Sequence, residues 1–456
     1  MRVAPTTDGK LLQYQKARSL GDVPRYTVGL QLRLKSGERA YVALSALELA
    51  LYFENDVAVH YDLEGRLTKV AQPDYYRRRG LSHQVLSTRI RTAAEGGGIE
   101  RHMHLPNEAD ELVAEAQGRS ASVLAELSEG TVSLEYSKLS PAEALAQILP
   151  QLEKAARFGQ KQAHADAEKF HSIYGRVAVL PPDQYNSLVL QATEGCAYSC
   201  CLFCELYRGV FYDRKSPTEF SRHLQQAIAY HGETLRTRRS IFLGEANALT
   251  LPHNDLVKIF DTLRDHFEFP ADHNRPVPAD WWLGHSTRFD GVSTFLDAFT
   301  GPHRTRGEFE ELRALGLRRV YLGLETGDDQ LLAWLCKPAT REGIAQTVRT
   351  LKEAGLAVGV IALLGAGGHE FAEAHARQTA RLINDLPLGR EDFIYFSPLV
   401  IYPNSRYAEQ TSALKMEPLS AAQMHDQEQR IRDALRFDEQ RGRPHLGRYE
   451  LESFVY

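Results

Sequence analysis

Two patterns of apolar and polar positions divide the chain. Runs at 27–34 and 39–45 alternate on either side of a Ser36–Gly37 turn, and runs at 56–61 and 66–70 flank a turn at 62–65, so both pairs read as β-hairpins. Residues 108–129 read as a helix. Residues 140–173, rich in Ala, Glu, Gln, Lys and Leu, read as one long helix. Ser140 caps its start, with Pro141 in the first position and Glu143 three residues on. Pro181 and Pro182 break the chain, and a domain boundary is expected between about 175 and 186. Beyond it, short apolar runs alternate with longer amphipathic stretches. Strands are expected at 187–192, 240–243, 281–285, 319–324, 357–364 and 393–400. Helices are expected at 217–231, 254–267, 307–315, 328–336, 341–354 and 370–385. This alternation implies right-handed crossovers and a parallel sheet, with ligands bound at the carboxyl ends of its strands. The six units fall short of the eight of a closed barrel. Residues 417–440 read as helical.

Composition adds class and compartment. A chain of 456 residues exceeds what one hydrophobic core organises, and 43% apolar with 25% charged residues is a globular balance. The net charge is -5, and residues 1–186 carry 23 basic and 23 acidic side chains, so the acidic excess lies after them. Neither part is basic, which argues against non-specific nucleic-acid binding. No apolar run reaches membrane-spanning length, and the first ten residues lack the apolar stretch of a signal peptide, so a cytoplasmic protein is expected.

Cysteine placement is the sharpest compositional signal. Of five cysteines, Cys196, Cys200, Cys201 and Cys204 fall in one loop after the first strand of the second half, and Cys336 stands alone later. A disulfide framework would spread its cysteines out. A tight cluster reads as a metal site, and three thiolates on one loop can hold a soft metal or an iron–sulfur cluster. Four would complete a structural zinc site, but zinc modules bring two CxxC pairs with a spacer between them, and a second pair is absent.

This loop, with the strand pattern around it, resembles the radical S-adenosylmethionine (radical SAM) superfamily. The resemblance implies a partial (β/α)6 radical-SAM-type barrel over 186–405. An α+β domain of unknown function would precede it over 1–180, and a helical C-terminal extension would follow over 406–456. It implies a [4Fe-4S] cluster held by three cysteines, with S-adenosyl-L-methionine chelated at the open iron. It further implies reductive cleavage of that SAM to a 5′-deoxyadenosyl radical, which abstracts hydrogen from a substrate. The common family spacing is CxxxCxxC. Here Cys196, Cys201 and Cys204 give CxxxxCxxC, whereas Cys196, Cys200 and Cys204 give CxxxCxxxC. The first is favoured because it keeps a terminal CxxC with an aromatic, Phe203, ahead of its last cysteine, where family members pack the adenine.

Gly244 and Glu245 resemble the end of the family's Gly-Gly-Glu motif, with Leu243 in place of its first glycine. A carboxylate there would accept hydrogen bonds from the amino group of SAM. Glu325, at the end of the fourth predicted strand, matches a position near the SAM ribose. Ser286 and Arg288, after the third predicted strand, are candidates for SAM carboxylate or substrate contact. The glycine-rich turn at 365–368 resembles the one beside the adenine, and is equally a plain tight turn. The resemblance implies an external one-electron reductant, flavodoxin- or ferredoxin-like, as partner. A small-molecule substrate is preferred to nucleic acid. Modification of a tRNA or another macromolecule is the alternative, and would need a basic surface including Arg77, Arg78 and Arg79. A non-catalytic zinc protein and an iron–sulfur electron carrier are the readings outside that chemistry. His102 and His104 could be ligands on one strand face, though alternation on a half-buried strand is the simpler reading. Cys336 is read as a buried helical thiol.

Overall fold

The computed structural model describes residues 28–91, 99–137, 139–177, 179–271, 277–300, 303–451 and 454–456. The chain start read for targeting, including Thr27 of the first predicted strand, lies outside them. Residues 28–137 build a nine-stranded antiparallel sheet. Val28–Arg33 pairs with Arg39–Leu44. The meander runs on through Leu49–Phe53, Ala58–Tyr61, Leu67–Ala71, Tyr75–Arg79 and Val85–Ile90 to Ile99–Met103, while Ser133–Ser137 pairs on the other side of Val28–Arg33. Helices Pro106–Ser128 and Pro141–Arg157 press Leu112, Val113, Ile148 and Leu152 onto Leu30, Leu32, Val42 and Val59 of the sheet. The single helix expected over 140–173 is two, Pro141–Arg157 and Gln160–Ile173. The break falls at Phe158 and Gly159, where the apolar ring turns into the core and glycine gives up helix at little cost.

The second half forms a seven-stranded parallel sheet. Its strands are Leu188–Gln191, Ile241–Gly244, Val292–Leu296, Leu317–Glu325, Ala357–Leu364, Phe393–Pro398 and His445–Arg448, in that order. The expected helices form at Pro217–His231, His253–His266, Arg306–Ala314, Asp329–Trp334, Arg341–Glu353 and Gly368–Asp385. Two expectations are corrected. The third strand is not 281–285: Trp281 and Trp282 lie in the short helix Ala279–Trp282 behind Pro278, and the β-branched run from Val292 forms the strand. The C-terminal segment is not only helical either. Helices Arg406–Leu414 and Ala421–Ala434 are followed by the seventh strand, which pairs parallel with Phe393–Pro398 and satisfies that strand's otherwise open edge.

The sheet curls. Asp183, just ahead of the first strand, accepts hydrogen bonds from Tyr321 Oη of the fourth strand (2.5 Å) and Tyr395 Oη of the sixth (2.7 Å), and pairs with Arg319 at 3.0 Å. One residue beside the first strand can reach the fourth and sixth only across a concave sheet, which is the partial barrel. At the first strand's open edge, the Val189 amide donates to Tyr456 Oη at 2.9 Å. Arg66 ties the antiparallel sheet to helices Gln160–Ile173 and Pro217–His231, pairing with Asp166 at 2.9 Å and stacking on Tyr230 at 4.5 Å.

Three histidines are sealed in this core. Burial holds His223 and His375 down to about 4 and His231 well below its usual value. Each is neutral when folded and protonates readily when unfolded near pH 6.5, so the unfolded chain binds more protons between those values. The contribution of these histidines is therefore constant above about pH 6.5 and is lost on acidification toward pH 4. The limiting slope is about 1.4 kcal/mol per pH unit for each histidine. Urea unfolding across this range, with His375→Gln alongside, checks it: the variant loses part of the slope.

Candidate active site

The loop after the first strand leaves the sheet at Thr193–Glu194 and returns at Asp213–Arg214, which pair antiparallel. Its cysteines are held from outside. The Leu202 amide donates to Leu335 O at 2.9 Å and Tyr198 Oη donates to Cys336 O at 2.7 Å, so the turn after helix Asp329–Trp334 clasps the loop. Leu202 and Phe203 pack with Leu331, Leu335, Leu363 and Leu399. Within the loop, the Ser199 amide points at Cys196 Sγ (3.4 Å).

Cys196, Cys201 and Cys204 line one cavity of about 510 Å3 at the carboxyl ends of the parallel strands. Phe203 and Glu325 line it too. Cys200 does not; it is exposed, and its carbonyl accepts from Arg406. Burial pushes the Cys201 thiol up to about 12, against the opposing pull of the Lys337 ammonium, and raises Cys204 as well. The cavity walls are otherwise largely apolar, with Phe295, Phe299, Ile361 and Leu399 among them. Tyr449 and Leu451, from beyond the seventh strand, complete the lining.

Glu325 ends the fourth strand in a left-handed conformation (φ 57°), and its Oε1 accepts from Lys337 Nζ at 2.6 Å. Both side chains are buried, and Lys337 also lines the cavity. Burial disfavours the Lys337 charge, but Glu325 and Cys201 outweigh it and raise its pKa. Gly323 makes room for the pair, since a Cβ there would lie 2.2 Å from Glu325 Oε1 and 2.9 Å from Lys337 Nζ. Gly244 closes the second strand, and its carbonyl accepts from Ala192 N at 2.7 Å. Glu245 is 7% exposed; its amide donates to Thr193 O at 3.1 Å, and its Oε2 accepts from Gly195 N at 3.4 Å, directly ahead of Cys196.

Other candidates fall elsewhere. Ser286 and Arg288 do not follow the third strand but precede it, at the opposite end from the cysteine loop, because that strand begins at Val292. Arg288 stacks on Trp281 at 4.9 Å and bonds Glu268 at 3.3 Å. The charged residue that the end of the third strand delivers to the cavity, beside Phe295 and Leu296, is Asp297, which sequence reasoning missed with the strand itself. Its Oδ1 accepts from the amides of Phe299 (3.0 Å) and Thr300, and its Oδ2 from Thr300 Oγ1 (2.9 Å) and the Asn247 amide. Lys337, equally unforeseen, carried no motif. At the 365–368 turn the space beside Gly367 is filled by the chain itself, since a Cβ would lie 2.7 Å from Leu331 Cδ1. Cys336 is exposed rather than buried. The Arg77–Arg79 run is no open basic surface: Arg79 is buried against Asp166 (3.3 Å), and Arg77 pairs with Glu115 at 3.4 Å. His102 and His104 stand with Glu108 near the sheet's outer strand, with ligand atoms within 4.8 Å of one another. Among the described residues no helix is long and apolar enough to cross a membrane.

Comparison with known proteins adds three findings. Residues 190–383 match the family model of the radical SAM superfamily. No curated protein matches the chain. Solved structures similar to it include the cobalamin-dependent S-adenosylmethionine radical enzyme OxsB (14% identity, TM-score 0.35, 54% of this chain and 31% of that one). Coproporphyrinogen III oxidase (HemN) from Escherichia coli is similar at 15% identity and TM-score 0.37, over 58% of this chain and 54% of that one. The radical S-adenosylmethionine methyltransferase TsrM from Kitasatospora setae is similar at 18% identity and TM-score 0.35, over 59% and 52%. This chain thus spans between 31% and 54% of these proteins' lengths.

Proposed function

We infer the function from one premise: the chain belongs to the radical SAM superfamily through residues 190–383, and is an enzyme of that class. The proposal is that Cys196, Cys201 and Cys204 hold a [4Fe-4S] cluster and that the cavity binds S-adenosyl-L-methionine. The observation that carries it is the donor set. Three thiols line one cavity while Cys200 faces away, so a cluster bound there keeps one iron without a protein ligand, and only such a position can take a substrate.

Held in that cavity, the cluster and SAM would supply 5′-deoxyadenosyl-radical chemistry, with the electron coming from an external flavodoxin- or ferredoxin-like donor. The chain's own groups position and seal. Glu245, whose carboxylate accepts from the Gly195 amide just ahead of Cys196, would accept from the SAM amino group. Phe203 offers a face for the adenine. Glu325, fixed by Lys337, can accept from the ribose hydroxyls. The apolar walls keep water from a reactive radical and suit a small, largely apolar substrate.

Anaerobic reconstitution with iron and sulfide, followed by dithionite and SAM, tests the reading. The expected result is acid-labile sulfide in the protein and 5′-deoxyadenosine in the products. Glu245→Gln keeps the cluster but weakens SAM binding by roughly tenfold or more, since a charge-assisted hydrogen bond contributes about 1.5–3 kcal/mol. Zinc in place of iron, or a stable cluster without product, sinks the proposal.

A further inference from the structure

A second cavity, of about 740 Å3, shares no residue with the cysteine cavity. It is a groove on the outer helical layer, between Arg341–Glu353, Gly368–Asp385 and the end of Ala421–Ala434. Arg341, Arg349, Arg377, Arg381, Arg430 and Arg436 line it against three carboxylates, Glu342, Glu373 and Asp385, with no lysine. The lining is therefore +3 on a chain whose net charge is -5. Between the arginines lie Ala345, Ala376, Ala380 and Ala434, whose short side chains leave space for an approaching ligand.

Internal ion pairs use only half of these arginines. Arg349 pairs with Glu342 at 2.9 Å, and Glu373 is shared by Arg430 at 3.2 Å and Arg377 at 3.9 Å. Among the described residues the guanidinium groups of Arg341, Arg381 and Arg436 form no ion pair with a carboxylate, although the Arg341 backbone amide donates to Asp329 Oδ1 at 2.6 Å. The Arg341 guanidinium reaches only Gln378 Oε1, at 3.5 Å. Cations gathered in one concavity repel each other, and a bound anion removes that cost.

The chemistry of the anion follows from the side chains. Guanidinium forks match phosphate oxygens two at a time, which a lysine-based patch does not do. Arg377 and Arg381 stand one helical turn apart, about 5–6 Å between Cβ atoms, a spacing that suits neighbouring phosphates. No aromatic ring lines the groove, so nothing there would stack a base. We propose that this groove binds closely spaced phosphate groups, held by their oxygens alone. The source is either the backbone of a nucleic acid or a short oligophosphate. The proposal does not depend on the radical SAM reading.

The test uses the full chain in low salt with two probes, a 5′-fluorescein oligouridylate read by anisotropy and inorganic tripolyphosphate read by calorimetry. The triple variant R341Q/R381Q/R436Q breaks no ion pair inside the groove. R222Q/R264Q/R443Q removes the same charge from elsewhere on the surface. The groove variant is expected to weaken binding by at least about tenfold and to reduce the salt slope for the RNA by roughly 2, at about 0.7 per lost phosphate contact. The control variant should change little. Oligouridylate that binds and is not displaced by tripolyphosphate identifies a phosphodiester backbone. Stoichiometric tripolyphosphate binding that displaces the RNA identifies an oligophosphate. Equal losses in the groove and control variants overturn the proposal, and so does poly-glutamate binding to the groove as tightly as RNA, which would make it a docking face for an acidic protein.

Discussion

Cys201→Ala abolishes the iron–sulfur absorption of reconstituted protein and reduces 5′-deoxyadenosine to the background of the assay, whereas Cys200→Ala leaves both close to wild type. The two residues are neighbours in sequence, so the contrast is a test of placement and not of composition. The Cys201 side chain faces the cavity that Cys196 and Cys204 also line, and burial raises its pKa. Cys200 is exposed, outside that lining, and only its backbone carbonyl is engaged, by Arg406. Replacing an exposed side chain without partners typically changes stability by no more than about 0.5 kcal/mol, so activity within roughly twofold is expected for Cys200→Ala. The reverse outcome, loss on changing Cys200 and retention on changing Cys201, would establish the register Cys196, Cys200, Cys204 and require the loop to turn over. Iron and sulfide analysis beside the product assay separates loss of the cluster from loss of turnover.

The loop was legible because its chemistry is concentrated: thiols at fixed short spacing after an apolar run carry their meaning without tertiary context. The flanking strands were legible for a related reason. Leu188–Gln191 and Ala357–Leu364 are buried along almost their whole length and read as largely apolar runs. The same rule misled at 281–285, where an equally apolar stretch containing two tryptophans stands behind a proline in a short helix. That one error moved the candidate contacts to Ser286 and Arg288 and hid Asp297. Lys337 was hidden by a different cause. It lies on a turn with no motif, and its importance comes from Glu325, which meets it only in the fold. The seventh strand was missed because His445–Arg448 has little apolar character of its own. The edge offered by Phe393–Pro398, and not local preference, decides its conformation.

The Glu325–Lys337 pair yields the second large expectation. Lys337→Met and Glu325→Gln each destabilise the chain by about 3–5 kcal/mol, because each leaves a buried charge without its counterion. Both side chains are less than a tenth exposed and meet at 2.6 Å, so solvent screens neither charge effectively. The double variant removes both charges and should cost less than the sum of the singles, by up to about 3 kcal/mol of coupling. Urea unfolding followed by tryptophan fluorescence reads this region selectively. All three tryptophans, Trp281, Trp282 and Trp334, lie in the second half of the chain, and Trp334 ends the helix just before Lys337. The two single variants should also differ once the cysteines carry a cluster. Lys337 is the cation beside Cys201, and Cys201 and Glu325 both favour its charge. Losing Glu325 leaves that cation with the thiolates and Asp297 as remaining anions. Losing Lys337 leaves a carboxylate and thiolates together with nothing to offset them. Reconstituted Lys337→Met is therefore expected to lose iron faster to a chelator than Glu325→Gln. Additive costs in the double variant, or equal iron loss from the two singles, would show that the pair is not coupled and that Lys337 plays no electrostatic part at the cysteine cavity.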